Sequence, residues 1–491
     1  MLAGFTGHKS AASLSPAPAK RPAATADPLA PTRFDRVLFW SFVAGLAWVP
    51  FWFASNTLLA WGVNAVIFPG IAAVYEARLL TTRRRHLVAV RRIALPVVLI
   101  GIVMCWIVLQ NAAWTSPTLH HPAWALASGV LGLPIEGSIS VNRDLTALAL
   151  MRLLTAASVF WLALQFGRDA ARANALLLAL AAICTAYCVY GLVAIGLTPG
   201  YVLWVENPYM HGFVTATFYN RNNFATYAGI GFIVLCGMIL RLYRHDVSAD
   251  GASRRFKIAA FVQTTGERGV IFIGAAFVVF VAMLLSGSRG GIIATTLGLF
   301  TLLVLMLGRS RTRVIDQRDI IVVAAFAIAV VFLIYGDTFI GKVAQQGFSD
   351  ESRIAIYKIA IGSIFDSPLT GYGYGTFKDI FPMFRDRSVI PVGVWEMAHN
   401  TYLEIFQGLG VIAGMLFIGA VALLALACFK GAVSRKAGAT VPAIAAAVSL
   451  LLASNALVDF SLQIQAVTLT FMAILGAGVA QAKSSQLAAH D

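Results

Sequence analysis

The amino-acid sequence predicts an all-α polytopic membrane protein, and three observations support that fold class. Of the 491 residues, 59% are hydrophobic and only 12% are charged. Apolar runs of about 20 residues, the length that spans a bilayer as a helix, recur along almost the whole chain. These runs are continuous, whereas the strands of an outer-membrane barrel alternate between apolar and polar residues. We therefore expect a bundle of membrane helices, each satisfying its own backbone hydrogen bonds.

Twelve membrane helices are predicted from these runs. They lie near residues 37–55, 56–75, 93–110, 145–166, 174–197, 222–242, 269–286, 290–308, 319–336, 400–429, 441–459 and 464–482. Residues 37–336 thus hold the first nine helices, and residues 400–482 hold the last three. Between them, residues 337–398 form a long loop with an amphipathic helix.

Two tails flank the predicted bundle. Residues 1–36 are rich in Pro, Ala and basic residues and are expected to form a disordered tail, and residues 483–491 form a second, short tail. Because the first tail contains no apolar segment, we expect no cleaved signal peptide. The first membrane helix would then act as an uncleaved anchor.

The basic residues predict the orientation of the bundle. With residues 1–36 in the cytoplasm, the segments on that side contain 27 of the 37 Lys and Arg residues. Both termini are therefore predicted to be cytoplasmic. The same distribution accounts for the net charge of +15, so membrane lipids with anionic headgroups, and not nucleic acids, are the expected partners.

Three segments on the opposite, outward face carry side chains suited to an anionic ligand. Arg221, in YNRNNF at residues 219–224, stands at a predicted helix start, where free N–H groups and the helix dipole attract anions. Arg289 lies in the glycine-rich turn SGSRGG, where the backbone can approach a ligand. His399 precedes the tenth predicted helix. Each alone could be an interface anchor or a helix cap, but their convergence on one face predicts a polyanion site.

The outward segment 337–398 has secondary-structure signals of its own. A helix is predicted to begin near residue 350 and to end before Pro368. Its apolar face would carry four residues at helical spacing, namely Ile354, Tyr357, Ile361 and Phe365. This helix is expected to lie against the membrane or to cover a cavity. The run PLTGYGYG follows at residues 368–375, and its tyrosines could stack on sugar rings, or the run could form a compact turn.

Several ligand classes are disfavoured by the sequence. GYGYG at residues 371–375 superficially resembles a potassium-channel filter, but its segment is too long and too highly charged for a pore loop. No predicted strand precedes it, as a dinucleotide-binding loop requires, and the sequence contains no Walker A motif. No group of His, Cys or carboxylate residues has metal-ligand spacing. The sequence therefore predicts no metal and no cofactor.

The order of these motifs resembles the bacterial O-antigen ligase and O-antigen polymerase superfamily of integral membrane glycosyltransferases, and the ligases most. The motifs are YNRNNF, SGSRGG, Arg353 with PLTGYGYG, and HNTYLE at residues 399–404. They span residues 200–430 approximately, whereas the first five predicted helices and the basic tail match only in general character.

The resemblance implies a transferase in the bacterial inner membrane with a fold like the C-type membrane glycosyltransferases. Its donor would be a glycan linked to undecaprenyl diphosphate, and its active site would face the periplasm. The acceptor of a ligase would be the lipid A core oligosaccharide. Arg221 and Arg289 match the arginines associated with the diphosphate, and His399 matches the histidine associated with acceptor activation. The family works without metal or nucleotide.

The chemistry of these residues agrees with those roles. A diphosphate leaving group gains negative charge as the anomeric C–O bond breaks, and two guanidinium groups can stabilise that charge. A neutral imidazole can accept the proton of the acceptor hydroxyl near neutral pH, so His399 is either the general base or a group that orients the acceptor. Attack in a single displacement would invert the anomeric configuration. Weaker candidates for contacts with sugar, phosphate or the cavity wall are Arg152, Glu206, His211, Arg353 and Tyr402.

Other functions use similar chemistry and stay open at this stage. An O-antigen or exopolysaccharide polymerase transfers glycan between two lipid-linked molecules, and a protein O-oligosaccharyltransferase transfers it to a polypeptide. A lipid-linked oligosaccharide flippase belongs to a different class but also binds diphosphate. Transport would favour charges near the midplane of broken helices, whereas Arg221 and Arg289 are predicted at the outward boundary, which favours an enzyme.

Overall fold

A computed structural model of the chain describes residues 32–207, 211–247, 269–307, 351–386, 395–435 and 437–483, together with Gly266 and Val389. Fifteen α-helices and one two-stranded sheet lie in these ranges. We label the elements in chain order as α1 (Arg33–Trp48), α2 (Leu58–Thr82), α3 (Ala94–Asn111), α4 (Pro122–Leu131), α5 (Arg143–Phe166), α6 (Ala170–Leu197), β1 (Tyr201–Val202), β2 (Val205–Glu206), α7 (Arg221–Val247), α8 (Val270–Leu285), α9 (Arg289–Leu307), α10 (Glu351–Asp366), α11 (Phe377–Phe384), α12 (Thr401–Leu409), α13 (Val411–Ser434), α14 (Thr440–Asn455) and α15 (Gln465–Ala482).

Eight helical segments in the described ranges are long and apolar enough to cross a membrane. They are α2, Val90–Asn111 including α3, α5, α6, the part of α7 from Arg221 to Tyr243, α9, α13 and α15. Helices α8 and α14 are apolar but shorter. The chain is therefore an all-α, multi-pass membrane protein, as its composition predicts.

Each predicted membrane helix except the ninth overlaps an observed helix. Residues 319–336, the ninth predicted helix, lie outside the described residues. Most of the predicted tail also lies outside them, but Arg33 and Arg36 belong to the first turn of α1. That turn forms because Thr32 and Asp35 make a reciprocal capping box, with N–H to side-chain oxygen distances of 2.8 and 3.2 Å.

The tenth predicted helix, residues 400–429, is wrong as a single element. It is divided at Gly410 into α12 and α13, and only α13 is long enough to cross the membrane. Gly410 has a φ of +79°, which favours glycine, and a Cβ at this position would lie 2.4 Å from the carbonyl oxygen of Leu369. The break lets the chain pack against residues 368–371.

Among the eight segments long enough to cross a membrane, α15 and the Arg221–Tyr243 part of α7 are the most buried. Small residues let α15 approach its neighbours closely, and a Cβ at Gly476 would lie only 2.5 Å from the carbonyl oxygen of Phe160 in α5. A buried hydrogen bond of 2.8 Å from Asn64 Nδ2 to Gln465 Oε1 joins α2 to the start of α15. The start of α15 is thus held at a fixed depth beside α2 and α5.

A small apolar core, separate from the largest one, is formed by α10, α11 and residues 389 and 398. Helix α10 lies where the sequence predicted a helix, but the predicted apolar face is not the buried one. Ile354, Ile361 and Phe365 are exposed, whereas Ile356 and Ala360 are fully buried. Helical spacing could not reveal this, because the buried face packs on α11 and on residues 389 and 398, which are distant in sequence.

The tyrosines of the PLTGYGYG run are packed inside the protein and do not form a sugar platform. The Tyr372 ring is buried between His121 and Phe384, with centroid distances of 5.6 and 5.8 Å. Burial, with a hydrogen bond of 2.7 Å to Asp366 Oδ2, raises the pKa of the Tyr372 hydroxyl and keeps it a donor. Tyr374 packs on Phe417. Of the two interpretations of this run, the compact turn agrees with the structure.

Candidate functional site

His399 lies in a fixed turn immediately before α12. Its φ is +55°, an unfavourable value for a residue with a Cβ, and neighbouring hydrogen bonds hold it there. The hydroxyl of Tyr357 in α10 donates to the His399 carbonyl oxygen at 2.9 Å. Next to it, Asn400 caps α12, since its Oδ1 accepts from the N–H groups of Tyr402 and Leu403. The backbone therefore fixes the direction of the imidazole.

The imidazole of His399 faces the carboxylate of Asp459, with Nδ1 and Oδ1 separated by 3.8 Å. Asp459 is buried, and the His399 side chain is 20% exposed. The two facing atoms, His399 Nδ1 and Asp459 Oδ1, are buried and have no hydrogen-bond partner within the described part of the chain. The distance between the two atoms is longer than that of a hydrogen bond, but the hydrogen bonds of catalytic groups are often long before the substrate binds.

Asp459 is itself held by hydrogen bonds from the ends of other helices. Its Oδ2 accepts from the Ser461 hydroxyl, and its carbonyl oxygen accepts from Thr401 Oγ1 at 3.1 Å. Ser461 Oγ also lies 3.0 Å from Thr226 Oγ1 and 3.3 Å from Asn223 Oδ1, both in α7. Asp459 is thus tied to the helix that begins at Arg221.

A cavity of about 720 Å³ opens beside His399. The rings of Trp395 and Phe460 stand edge-on to the imidazole at centroid distances of 5.9 and 4.9 Å. The lining residues come from five separate parts of the chain, and they are Phe53, Ala54, Asn56, Phe218, Tyr219, Asn220, Asn223, Trp395, Glu396, Met397, His399, Phe460 and Ile464. Both apolar rings and polar amides therefore face this space, as in small-molecule sites.

Arg221 is the first residue of α7, directly after the cavity residue Asn220. Its guanidinium lies over the Phe213 ring, with Cζ 4.0 Å from the centroid. The SGSRGG turn approaches it closely. Gly287 has a φ of +63°, and a Cβ there would lie 2.7 Å from Phe213 Cε1 and 3.2 Å from Arg221 Nη1. A side chain at position 287 would therefore displace the guanidinium or the ring beneath it.

Arg289 is the first residue of α9 and is exposed. The adjacent Gly290 packs beside the segment that leads to Asp459, because a Cβ there would lie 3.5 Å from Val458 Cγ2. On the other side of this segment, Arg353 Nη1 donates to the Val458 carbonyl oxygen at 3.1 Å. Residues 458–459 thus contact Arg353, His399 and Gly290, the residue that follows Arg289.

The other predicted residues lie farther from the cavity. Arg152 is half-buried, donates to the Gln463 carbonyl oxygen, and stacks on Trp61 with its Cζ 4.3 Å from the ring centroid. Gln463 Nε2 in turn donates to Glu404 Oε2 at 2.7 Å, so Arg152 reaches Glu404 only through Gln463. The Tyr402 hydroxyl donates to the Ala453 carbonyl oxygen. These contacts assign Arg152 and Tyr402 to the packing around the site, and neither lines the cavity.

Glu206 and His211 are not among the residues that line the cavity. Glu206 is an exposed residue of β2, which pairs with β1. The His211 ring lies so close to Gly200 that a Cβ there would be 2.3 Å from its Cε1. His211 therefore packs over the backbone at the base of the β1–β2 hairpin.

Asp459, Ser461 and Asn223 are the site residues whose roles sequence reasoning missed. One signal was present: an acidic residue at the outward end of an apolar helix is costly unless a polar partner or a ligand compensates for it. The partner, however, is 60 residues away, and only the fold brings the two together. Among the described residues, no group of three or more His, Cys, Asp or Glu side chains could hold a metal ion.

One comparison with known proteins bears on this site. Residues 274–418 match the family model described as O-antigen ligase. The matched segment contains Arg289, Arg353 and His399, whereas Arg221 and Asp459 lie outside it. No curated protein matches the chain by sequence.

Proposed function

We propose that this protein is an O-antigen ligase, and the premise is that the chain belongs to the O-antigen ligase and polymerase superfamily. It transfers a glycan from undecaprenyl diphosphate to the lipid A core oligosaccharide at the periplasmic face of the inner membrane. The observation that carries this proposal is the His399–Asp459 pair, in which His399 lines a cavity and Asp459 lies behind it. Arg221 begins α7 directly after the cavity residue Asn220, and Arg289 begins α9 after the turn that approaches Arg221.

The two arginines bind the donor diphosphate. Arg221 and Arg289 each begin a helix, so their guanidinium groups add to the partial positive charge of the helix N-termini. As the anomeric C–O bond breaks, its electron pair goes to the diphosphate oxygen, which gains negative charge. The two guanidinium groups stabilise this charge in the transition state more than they stabilise the bound donor. Arg221 is half-buried against Phe213, where less water screens its charge.

His399 is the general base. The carboxylate of Asp459 faces Nδ1 and favours the tautomer that carries its proton there, which leaves Nε2 as the acceptor. Nε2 takes the proton of the acceptor hydroxyl while that oxygen bonds to the anomeric carbon from the side opposite the diphosphate. Glycan transfer then proceeds in one displacement with inversion, and the imidazolium formed is stabilised by Asp459.

Deletion of the gene followed by analysis of the surface glycans tests the ligase assignment. The expected result is lipid A core without attached polymer, restored by the wild-type gene and not by His399→Ala. Core capped by a single repeat unit would instead assign a polymerase. Unchanged lipopolysaccharide would contradict the proposal and point to another acceptor.

A further inference from the structure

A row of aromatic rings leads from the cavity to an exposed hairpin. The Phe53 ring, which lines the cavity, stacks on Tyr219 at 4.8 Å with the planes 7° apart. The Phe53 ring also contacts the Trp204 ring, edge-on at 5.3 Å. We call Trp204, Phe53 and Tyr219 the aromatic row. Two of its members line the cavity, and the third, Trp204, is 56% exposed.

The chain holds the inner end of this row in an unfavourable backbone conformation. Phe53, Ala54 and Ser55 have φ values of 49°, 55° and 52°, a left-handed run of three residues that all carry a Cβ. Such residues cost on the order of 1–3 kcal/mol each and persist only where their surroundings enforce them. Here Ser55 Oγ donates to the Val49 carbonyl oxygen at 2.6 Å, and Trp61 Nε1 donates to the Ser55 carbonyl oxygen at 2.8 Å. The run directs the Phe53 ring between Tyr219 and Trp204.

The outer end of the row is held just as firmly. Trp204 lies in the two-residue turn between β1 and β2, and the Asn207 N–H donates to the Gly200 carbonyl oxygen at 2.6 Å, closing the hairpin. Asn207 Nδ2 also donates to the Tyr219 carbonyl oxygen at 3.0 Å, which fixes the hairpin to the cavity wall. Trp52 supports the Trp204 ring at 5.1 Å.

We propose that the Trp204 face and the Glu206 carboxylate form an outer sugar subsite that holds glycan residues beyond the reacting one. This inference rests on the proposed function. The C–H groups of a pyranose ring pack on the negative face of an aromatic ring, and a carboxylate accepts hydrogen bonds from sugar hydroxyls. Both groups are exposed on one hairpin, and the aromatic row continues from them to the cavity.

Anchoring to the membrane interface is the competing role for an exposed tryptophan. Two features favour the sugar subsite. An exposed carboxylate stands two residues from Trp204 and would resist burial among lipid chains. Trp204 also contacts a ring that lines the cavity, whereas an anchor needs no such contact. The occupant is an oligosaccharide, supplied either by the donor or by the acceptor.

Transfer kinetics of the full-length protein in lipid nanodiscs test this subsite. The probes are prenyl diphosphate donors that carry one sugar or several repeat units, each with full-length or truncated core acceptor. Trp204→Ala should raise the KM for the long donor about tenfold relative to the one-sugar donor. Trp204→Phe keeps an aromatic face, so its KM for the long donor should stay near that of the wild type. Dependence on acceptor length instead would assign the subsite to the acceptor. Equal effects for all lengths would overturn the proposal.

Trp114 provides the matched control, because it is also predicted on the outward face and is 77% exposed. If Trp114→Ala reproduces the length-dependent change, both residues are membrane anchors and the subsite is wrong.

A second measurement does not depend on transfer. It is saturation-transfer NMR with lipid-free oligosaccharides released from the native lipopolysaccharide. Signals present with the wild type and weakened by Trp204→Ala support the subsite even if transfer fails. Equal signals in both proteins overturn the subsite alone.

Discussion

At the residue scale, the site depends on one approach between a half-buried imidazole and a buried carboxylate that are distant in sequence. His399 and Asp459 approach to 3.8 Å, and each is fixed by hydrogen bonds to its own backbone. A base that is already oriented loses little entropy when the acceptor binds, so the reacting atoms meet in a productive geometry. Asp459 would act through His399 and not on the glycan itself, which makes it a positioning residue.

Asp459→Asn keeps the shape of the side chain but removes its charge. We expect turnover to fall by roughly a hundredfold with little change in donor KM, because the imidazolium formed in the transition state loses its partner. Steady-state kinetics of the purified variant measure this. Ser461→Ala leaves the Asp459 carboxylate in place, so its turnover should fall far less. Equal losses of turnover in the two variants would contradict a role for the charge of Asp459.

Arg289→Lys keeps a positive charge but removes the planar group that can donate several parallel hydrogen bonds. We expect transfer to fall by about a hundredfold with normal membrane expression, because a lysine stabilises the leaving diphosphate less well. The transfer rate of Arg221→Ala should fall at least as far. Transfer by both variants at nearly wild-type rates would mean that the diphosphate binds elsewhere.

At the element scale, the site is made where helices end and not along their length. Arg221 and Arg289 begin α7 and α9, His399 precedes α12, and Asp459 lies between α14 and α15. The sequence predicts an all-α membrane protein because its apolar runs are continuous. It also predicts Arg221 at a helix start and Arg289 in the glycine-rich turn before a helix, and in the structure these residues are the first of α7 and α9. The break at Gly410 and the buried face of α10 depend on contacts with distant segments, so periodicity could not predict them.

Gly287→Ala tests the turn that brings the two arginines together. The added Cβ would lie 2.7 Å from the Phe213 ring, in a backbone conformation that costs alanine about 1–2 kcal/mol. We expect a substantial loss of transfer without loss of membrane insertion, because Phe213 supports Arg221. Gly274→Ala is the control, since within the described ranges no side chain and no backbone outside its own helix lies within 4 Å of the added Cβ. Equal activity of the two variants would show that the turn tolerates displacement.

At the scale of the whole molecule, the bundle brings segments from residue 53 to residue 464 around one cavity. The basic residues predict that this end faces the periplasm. In a Cys105→Ser background, which removes the exposed native thiol, Phe365→Cys should react with an impermeant thiol reagent added to spheroplasts. Arg85→Cys, on the predicted cytoplasmic side, should be protected. The reverse pattern would exclude periplasmic chemistry at this site.

Transfer in a purified system tests the central claim most directly. The protein would be given an undecaprenyl diphosphate-linked donor at saturation, lipid A core acceptor and EDTA. The wild type should transfer glycan without added metal, and His399→Ala should bind the donor normally yet turn over roughly a hundredfold more slowly or worse, the usual loss for removing a general base. Equal turnover by the two proteins, no transfer to lipid A core by the wild type, or EDTA inhibition reversed by one divalent ion would contradict the account.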